Sequence, residues 1–204
     1  MIVIIDYGLG NIRAFVNVYD RLNIMTKIAR SAEDIKGATK IILPGVGAFD
    51  YAMSQLNASG MREELEKQVI NNKIPVIGIC VGMQMLAKSS DEGVLPGLGW
   101  IDGNVKLFDV SAIPFKTQLP HMGWNTIEPK IDSPLLKGFN SQSRFYFLHS
   151  YYFVCNKSDD VISETQYGIK YASAVNNNNV YGIQFHPEKS HSNGVQLLHN
   201  FAKL

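Results

Sequence analysis

Three short aliphatic runs, each closed by a turn residue or a break in the run, constrain the fold of this chain most. Ile2 to Ile5 read IVII and end at Asp6, before Gly8 and Gly10; KIILPG spans 40–45, and IPVIGIC spans 74–80. Continuous aliphatics bounded in this way are the pattern of a strand buried on both faces. Between the runs the period changes. In NIRAFVNVYDRL the residues Ile12, Phe15, Val16, Tyr19 and Leu22 recur at offsets of three and four, with Asn11 at the cap position. MREELEKQVINN (61–72) is helical in composition. Strand, helix, strand, helix predicts a mainly parallel sheet with helices on both faces, and such sheets carry their sites beyond the carboxyl ends of the strands.

From Gly93 to Gly123 the pattern breaks into short segments punctuated by Gly97, Gly99, Gly103, Pro114 and Pro120, which predicts antiparallel strands and loops. RFYFLHSYYFVC (144–155), YGIKYASAV (167–175) and NVYGIQFHP (179–187) are aromatic and β-branched, and the last two flank an asparagine turn as a hairpin does. A final helix is expected over 193–204. The fold class is therefore α/β: a mainly parallel central sheet with flanking helices plus an antiparallel or mixed extension. With 204 residues, 46% of them hydrophobic, the chain is read as a single domain over 1–204.

Composition removes several functions. Lys and Arg total 19 against 18 Asp and Glu, so there is no basic excess to neutralise a phosphate backbone, and nucleic acid is not an expected partner. MIVIIDYG has no basic leader region and no later stretch reaches membrane-spanning length, so no membrane association is expected. The two cysteines, Cys80 and Cys155, form no CxxC pair, which disfavours a disulfide framework or a zinc site and fits a cytoplasmic location. No cofactor is expected.

Chemistry concentrates in GICVG, where Cys80 stands between Gly78 and Gly82 at a strand-to-helix junction. A glycine–x–nucleophile–x–glycine pattern there is the signature of a nucleophile elbow, in which side chains at the glycine positions would crowd the neighbouring backbone. The start of the following helix would favour the thiolate, and the Val81 amide would face a developing oxyanion. A buried core cysteine is the alternative reading of this stretch alone. At the other end of the chain GIQFHPEKS (182–190) supplies His186 and Glu188, two residues apart around Pro187. A thiol, a histidine to take its proton and a carboxylate to hold the imidazole make a generalised triad. A metal site from His186, Glu188 and His191 lacks a helical HExxH spacing and leaves the elbow unexplained.

With both segments in view, the sequence resembles the class I glutamine amidotransferases, and among them the glutaminase subunits of imidazole glycerol phosphate synthases. The resemblance covers the whole chain: DYGLGN (6–11), PGVGAF (44–49), GICVGMQML (78–86), PHMGWN (120–125), HSYY (149–152) and QFHPEKS (184–190). It implies a flavodoxin-like fold and hydrolysis of L-glutamine to glutamate and ammonia through a thioester on Cys80, with His186 relaying protons and Glu188 orienting it. It further implies an oxyanion hole from the backbone of Val46 and Gly47 together with Val81. Gly47, Gln84, Glu92, His149, Ser150 and Tyr151 are implied to hold the amino-acid end of glutamine. The implied partner is a (βα)₈-barrel cyclase, joined as a heterodimer through Asn11, Trp124, Tyr146 and Lys189, which uses the ammonia to make imidazole glycerol phosphate and AICAR in histidine biosynthesis.

The departures from the family are Val81, where leucine is common, and DVSAIPFKTQ (109–118), which precedes PHMGWN. Three other readings stand beside this one at the level of sequence. Paralogues of the same type supply ammonia for amidino groups on bacterial surface sugars; a non-catalytic α/β scaffold would keep the fold without the chemistry; a cysteine peptidase would cleave peptides without a partner. His121, His191 and His199 are read as packing or surface histidines, and Cys155 as a packed strand residue.

Overall fold

The computed structural model of the chain describes residues 1–116 and 118–204, so Thr117 of the 109–118 segment lies outside the described residues. The first half runs β1 (Ile2–Ile5), α1 (Ile12–Arg21), β2 (Thr26–Ala29), α2 (Ala32–Ile35), β3 (Lys40–Gly45), α3 (Phe49–Ala58), α4 (Arg62–Glu66), β4 (Val76–Cys80) and α5 (Val81–Gln84). The second half contributes β5 (Ser89–Ser90), β6 (Gly103–Leu107), β7 (His121–Thr126), β8 (Glu128–Pro129), β9 (Arg144–His149), β10 (Tyr151–Cys155), β11 (Val161–Tyr167), β12 (Ile169–Asn177), β13 (Val180–Ile183) and α6 (His191–Lys203).

The strand order β2-β1-β3-β4-β13 is parallel throughout, and β12, β10 and β6 continue the same sheet antiparallel from β13. Residues 2–5 and 76–80 are buried at every position, as an aliphatic run under helices on both faces requires. Asn11 Oδ1 accepts from the Ala14 amide at 3.3 Å and caps α1, whose Tyr19 is wholly buried and donates its hydroxyl to the Leu198 carbonyl of α6 at 3.1 Å. The helical pattern over 61–72 is carried by α4 and a π-helical turn from Lys67 to Asn71.

Three features depart from the sequence-based expectation. RFYFLHSYYFVC breaks at Ser150, so that β9 pairs with β7 in a separate two-stranded sheet while β10 enters the main sheet between β12 and β6. The last helix begins at His191, which takes a positive φ of 50°. The helix after Cys80 is a single turn of four residues, so it presents its first few amides and little macrodipole. No helix among the described residues is long and apolar enough to cross a membrane.

Candidate active site

The elbow is built by three glycines that interlock. A Cβ on Gly78 would lie 2.5 Å from the Gly82 carbonyl oxygen, one on Gly82 would strike the Leu43 carbonyl, and one on Gly45 would lie 2.5 Å from the Gly82 amide nitrogen. Only glycine lets the end of β3 and the start of α5 close against β4 at this distance. Cys80 itself takes φ 56° and ψ −115°, a backbone strained for any side chain, and is 4% exposed. Tyr7 supports the adjoining strand end, donating its buried hydroxyl to the Pro44 carbonyl at 2.7 Å.

His186 reaches the thiol because β13 lies beside β4 in parallel, with Ile183 opposite Ile79. Three residues past that pair the chain is extended at His186 (φ −101°, ψ 96°), its amide donating to the Tyr146 carbonyl at 2.9 Å and its carbonyl accepting from Ser190 Oγ at 2.6 Å. Pro187 then opens a 3₁₀ turn that brings Glu188 back, so that Glu188 Oε1 lies 2.9 Å from His186 Nδ1, both side chains being 5% exposed. The contact thus comes from a tight turn. Burial acts to lower the His186 pKa, but Cys80 and Glu188 beside the ring outweigh it and raise the pKa well above the usual histidine value. His186 Nε2 is buried with no hydrogen bond of its own, which leaves that nitrogen to exchange a proton with the thiol.

Cys80 and His186 open onto a cavity of about 300 Å³, the size of a small-molecule site at the lower end of the range. Val46, Gly47 and Val81 line it on the side of the β3 and β4 strand ends. Gly47 has φ 87° and open space where a Cβ would stand. Gln84, Glu92, His149, Ser150 and Tyr151 line the remainder, with Lys189, Pro120 and Leu148. Glu92 is fixed by the amide of Phe49 at the start of α3, which donates to its Oε2 at 2.8 Å, so the carboxylate is anchored at a helix start and remains at the cavity wall. Gln84 donates from Nε2 to the Tyr151 carbonyl and to Gln184 Oε1, each at 3.2 Å.

His149 is a special case among these. Its Nδ1 lies 2.8 Å from the Tyr151 carbonyl and its Nε2 3.1 Å from the Tyr171 hydroxyl, so both ring nitrogens are engaged by protein. The carbonyl can only accept, hence Nδ1 carries the proton and Nε2 accepts from Tyr171. The same hydroxyl lies 3.1 Å from His121 Nδ1, which places His121 in a buried polar chain with His149. Burial depresses the pKa of His149 to about 3 and of His121 to about 4. His149 therefore shapes the wall and fixes the Tyr151 backbone, with no ring nitrogen left for a substrate.

Beside Lys189 of the cavity wall, Tyr146 is met edge-on by the Trp124 indole (6.2 Å), which His191 stacks at 5.1 Å and 7°. Lys189 Nζ stands 5.6 Å over the Tyr146 ring. Asn11 sits at the start of α1, one residue past Gly10, where a Cβ would lie 2.8 Å from Pro44, next to the PGVG turn. His191 is exposed at the start of α6, as a surface or helix position, and stacks in this aromatic cluster as well. Gln184 was not singled out by sequence reasoning. The signal was present, since Gln184 and His186 alternate across Phe185 in an extended segment and so share a face. Among the described residues there is no cluster of His, Cys, Asp and Glu suited to a metal ion.

Comparison with known proteins agrees over the full length. The family model described as "Glutamine amidotransferase class-I" matches residues 3–204. A protein of Bdellovibrio bacteriovorus named imidazole glycerol phosphate synthase subunit HisH is 58% identical over 205 residues, covering 100% of both chains. One of the same name from Leptospira borgpetersenii is 50% identical over 204 residues, again covering 100% of each. Among solved structures, one described as PurLQS from Thermotoga maritima superposes with a TM-score of 0.74 at 17% identity, covering 99% of this chain and 97% of that one, a likeness of fold.

Proposed function

The chain belongs to the class I glutamine amidotransferase family, and on that premise we propose how its site hydrolyses the side-chain amide of L-glutamine. The protein is the glutaminase subunit of an imidazole glycerol phosphate synthase in histidine biosynthesis, the synthase named in its full-length relatives at 58% and 50% identity. In our reading a single domain over 1–204 carries the reaction, in the cytoplasm and without a cofactor.

The Cys80 thiol passes its proton to His186 Nε2, and Sγ attacks the amide carbonyl carbon. Glu188 holds Nδ1–H and stabilises the imidazolium that forms. Negative charge gathers on the carbonyl oxygen, where the Val81 amide and the backbone of Val46 and Gly47 are the donors; two glycines around Val46 leave that backbone free to turn. His186 then gives its proton to the leaving nitrogen, the C–N bond breaks, and ammonia departs from a thioester. Water attacks the thioester with the same imidazole as base, the C–S bond breaks, and glutamate leaves with the thiol restored. Glu92 pairs with the substrate ammonium. Gln84 Oε1 and the backbone of Gly47, Ser150 and Tyr151 hold the rest of the amino-acid end.

The partner is a (βα)₈-barrel cyclase, docked in a heterodimer over Asn11, Trp124, Tyr146 and Lys189, where ammonia leaving the cavity enters the barrel. One observation carries this reading: the β4–β13 pairing sets a strained, glycine-flanked thiol and a carboxylate-held histidine on one amino-acid-sized cavity. The test is glutamate release by the isolated chain and by the chain with its cognate cyclase and that partner's nucleotide substrate. Low activity alone, a rise of orders of magnitude in the complex, and its loss in Cys80→Ser are expected. Full activity without a partner, or peptide cleavage, would contradict it.

A further inference from the structure

Gln184 is wholly buried, one residue past the last β13–β4 pair, which places it directly beside Cys80. Its Nε2 lies 3.8 Å from Cys80 Sγ, within the range of an N–H to sulfur hydrogen bond. The orientation of its amide follows from a chain of hydrogen bonds whose far end is fixed. The Tyr151 backbone carbonyl can only accept, so the Gln84 atom 3.2 Å from it is the amide nitrogen. That nitrogen's second hydrogen points to Gln184 at 3.2 Å, which must present oxygen in return. With its oxygen committed to Gln84, Gln184 has only its NH₂ group to turn toward the thiol.

We infer that Gln184 is a built-in donor to the Cys80 sulfur, held in its donating orientation by Gln84 and the Tyr151 carbonyl. When the thiol proton passes to His186, the sulfur left behind carries a full negative charge in a site that is almost closed to water. A fixed N–H facing it stabilises that charge before substrate arrives, and a hydrogen bond to a charged acceptor is about twice as strong as a neutral one. The same chain turns Gln84 Oε1 away from its two acceptors, so substrate contact at Gln84 and thiolate stabilisation at Cys80 are set by one orientation. This inference rests on Cys80 being the nucleophile.

Alkylation of the full chain by iodoacetamide, followed by peptide mapping at Cys80, reads the thiolate without requiring turnover. Cys155, half-buried with its thiol pushed up to about 12 by burial, is a slow internal reference. Gln184→Met keeps the length and removes the donor. Its Cys80 rate should fall about tenfold at pH 7 and match the parent within about twofold at pH 10, above the usual cysteine value of about 8.5. Gln184→Glu should be slower still at pH 7, because a carboxylate then faces the sulfur. Gln84→Met, which leaves Gln184 in place but unclamped, should lose about threefold at pH 7 in the same pattern. Equal rates for parent and Gln184→Met at pH 7, or the same loss at both pH values as a blocked pocket would give, would overturn the role of Gln184 while leaving Cys80 as nucleophile. A parent chain that alkylates no faster at Cys80 than at Cys155 would instead remove the nucleophile itself.

Discussion

Replacing Glu188 by Gln separates the charge of this residue from its shape. The carboxylate lies 2.9 Å from His186 Nδ1 with both side chains 5% exposed, so the pair is little screened by solvent. Imidazolium and carboxylate centres about 4 Å apart attract by about 4 kcal/mol at an effective dielectric of about 20. A neutral amide retains a hydrogen bond of about 1 kcal/mol, which leaves a loss of about 3 kcal/mol in stabilising the imidazolium. At 1.36 kcal/mol per decade this is about a hundredfold fall in kcat. Glu188 is not among the cavity-lining residues, so KM for glutamine should stay within about twofold. The pH dependence gives a second signature. Burial lowers the His186 pKa, while Cys80 and Glu188 raise it overall. Without the carboxylate it falls, and the alkaline limb of the kcat profile moves to lower pH. By linkage, a raised folded-state pKa contributes stability that is fully present below the unfolded value of about 6.5 and is lost as pH rises through the folded value. The variant should therefore be least stable relative to the parent below about pH 6.5, with the gap closing in alkali. Steady-state kinetics of the complex from pH 6 to 10, with urea melts of the chain, measure both. A Glu188→Gln enzyme with parental kcat and an unmoved alkaline limb would refute the reasoning.

Other perturbations test other links of the structure. Gly82→Ala drives a Cβ into the Leu43 carbonyl and should cost about 3 kcal/mol or more in a denaturant melt, whereas Gly37→Ala, at φ 77° with open space, should cost only about 1 kcal/mol. Burial holds His149 down to about 3 and His121 down to about 4, so the unfolded chain takes up their protons first as pH falls below about 6.5. Stability should drop by about 2 kcal/mol per histidine between pH 7 and pH 5, and His149→Gln should remove about half of that loss; an unchanged difference in urea midpoint would count against the buried relay. Trp124→Ala, at a side chain 39% exposed, should leave the melting of the isolated chain within about 1 kcal/mol and weaken cyclase binding by tenfold or more in calorimetry.

Much of the fold is written in local pattern. The unbroken aliphatics of β1, β3 and β4 identify buried parallel strands, and the asparagine turn identifies the β12–β13 hairpin. The strand TKIA was not legible, because β2 is an edge strand, three of whose four residues are only partly buried, and it carries no continuous run. Helix α3 was legible in principle, with Phe49, Ala52, Met53 and Leu56 buried at helical spacing, but it leaves the PGVG turn with no side-chain cap to announce it. The division of residues 144–155 at Ser150 was hidden, since both halves are equally aromatic and strand-like, and only their different partners separate them.

The site divides in the same way. The sequence by itself determined the chemical types: a thiol that needs glycine on either side to turn, and a histidine with a carboxylate two residues on. Those are requirements of backbone sterics and proton transfer, and they act over a few residues. Tertiary structure alone decided that the two segments meet. The pairing of β13 with β4 joins residues about a hundred positions apart, and strand pairing of that range is selected by the packing of the whole sheet, which no local window contains. The same register put Gln184 beside Cys80, and the approach of β9 to Tyr151 of β10 and Tyr171 of β12 turned both nitrogens of His149 toward protein, because hydrogen-bond partners in a closed interior are chosen by what lies next to them in space.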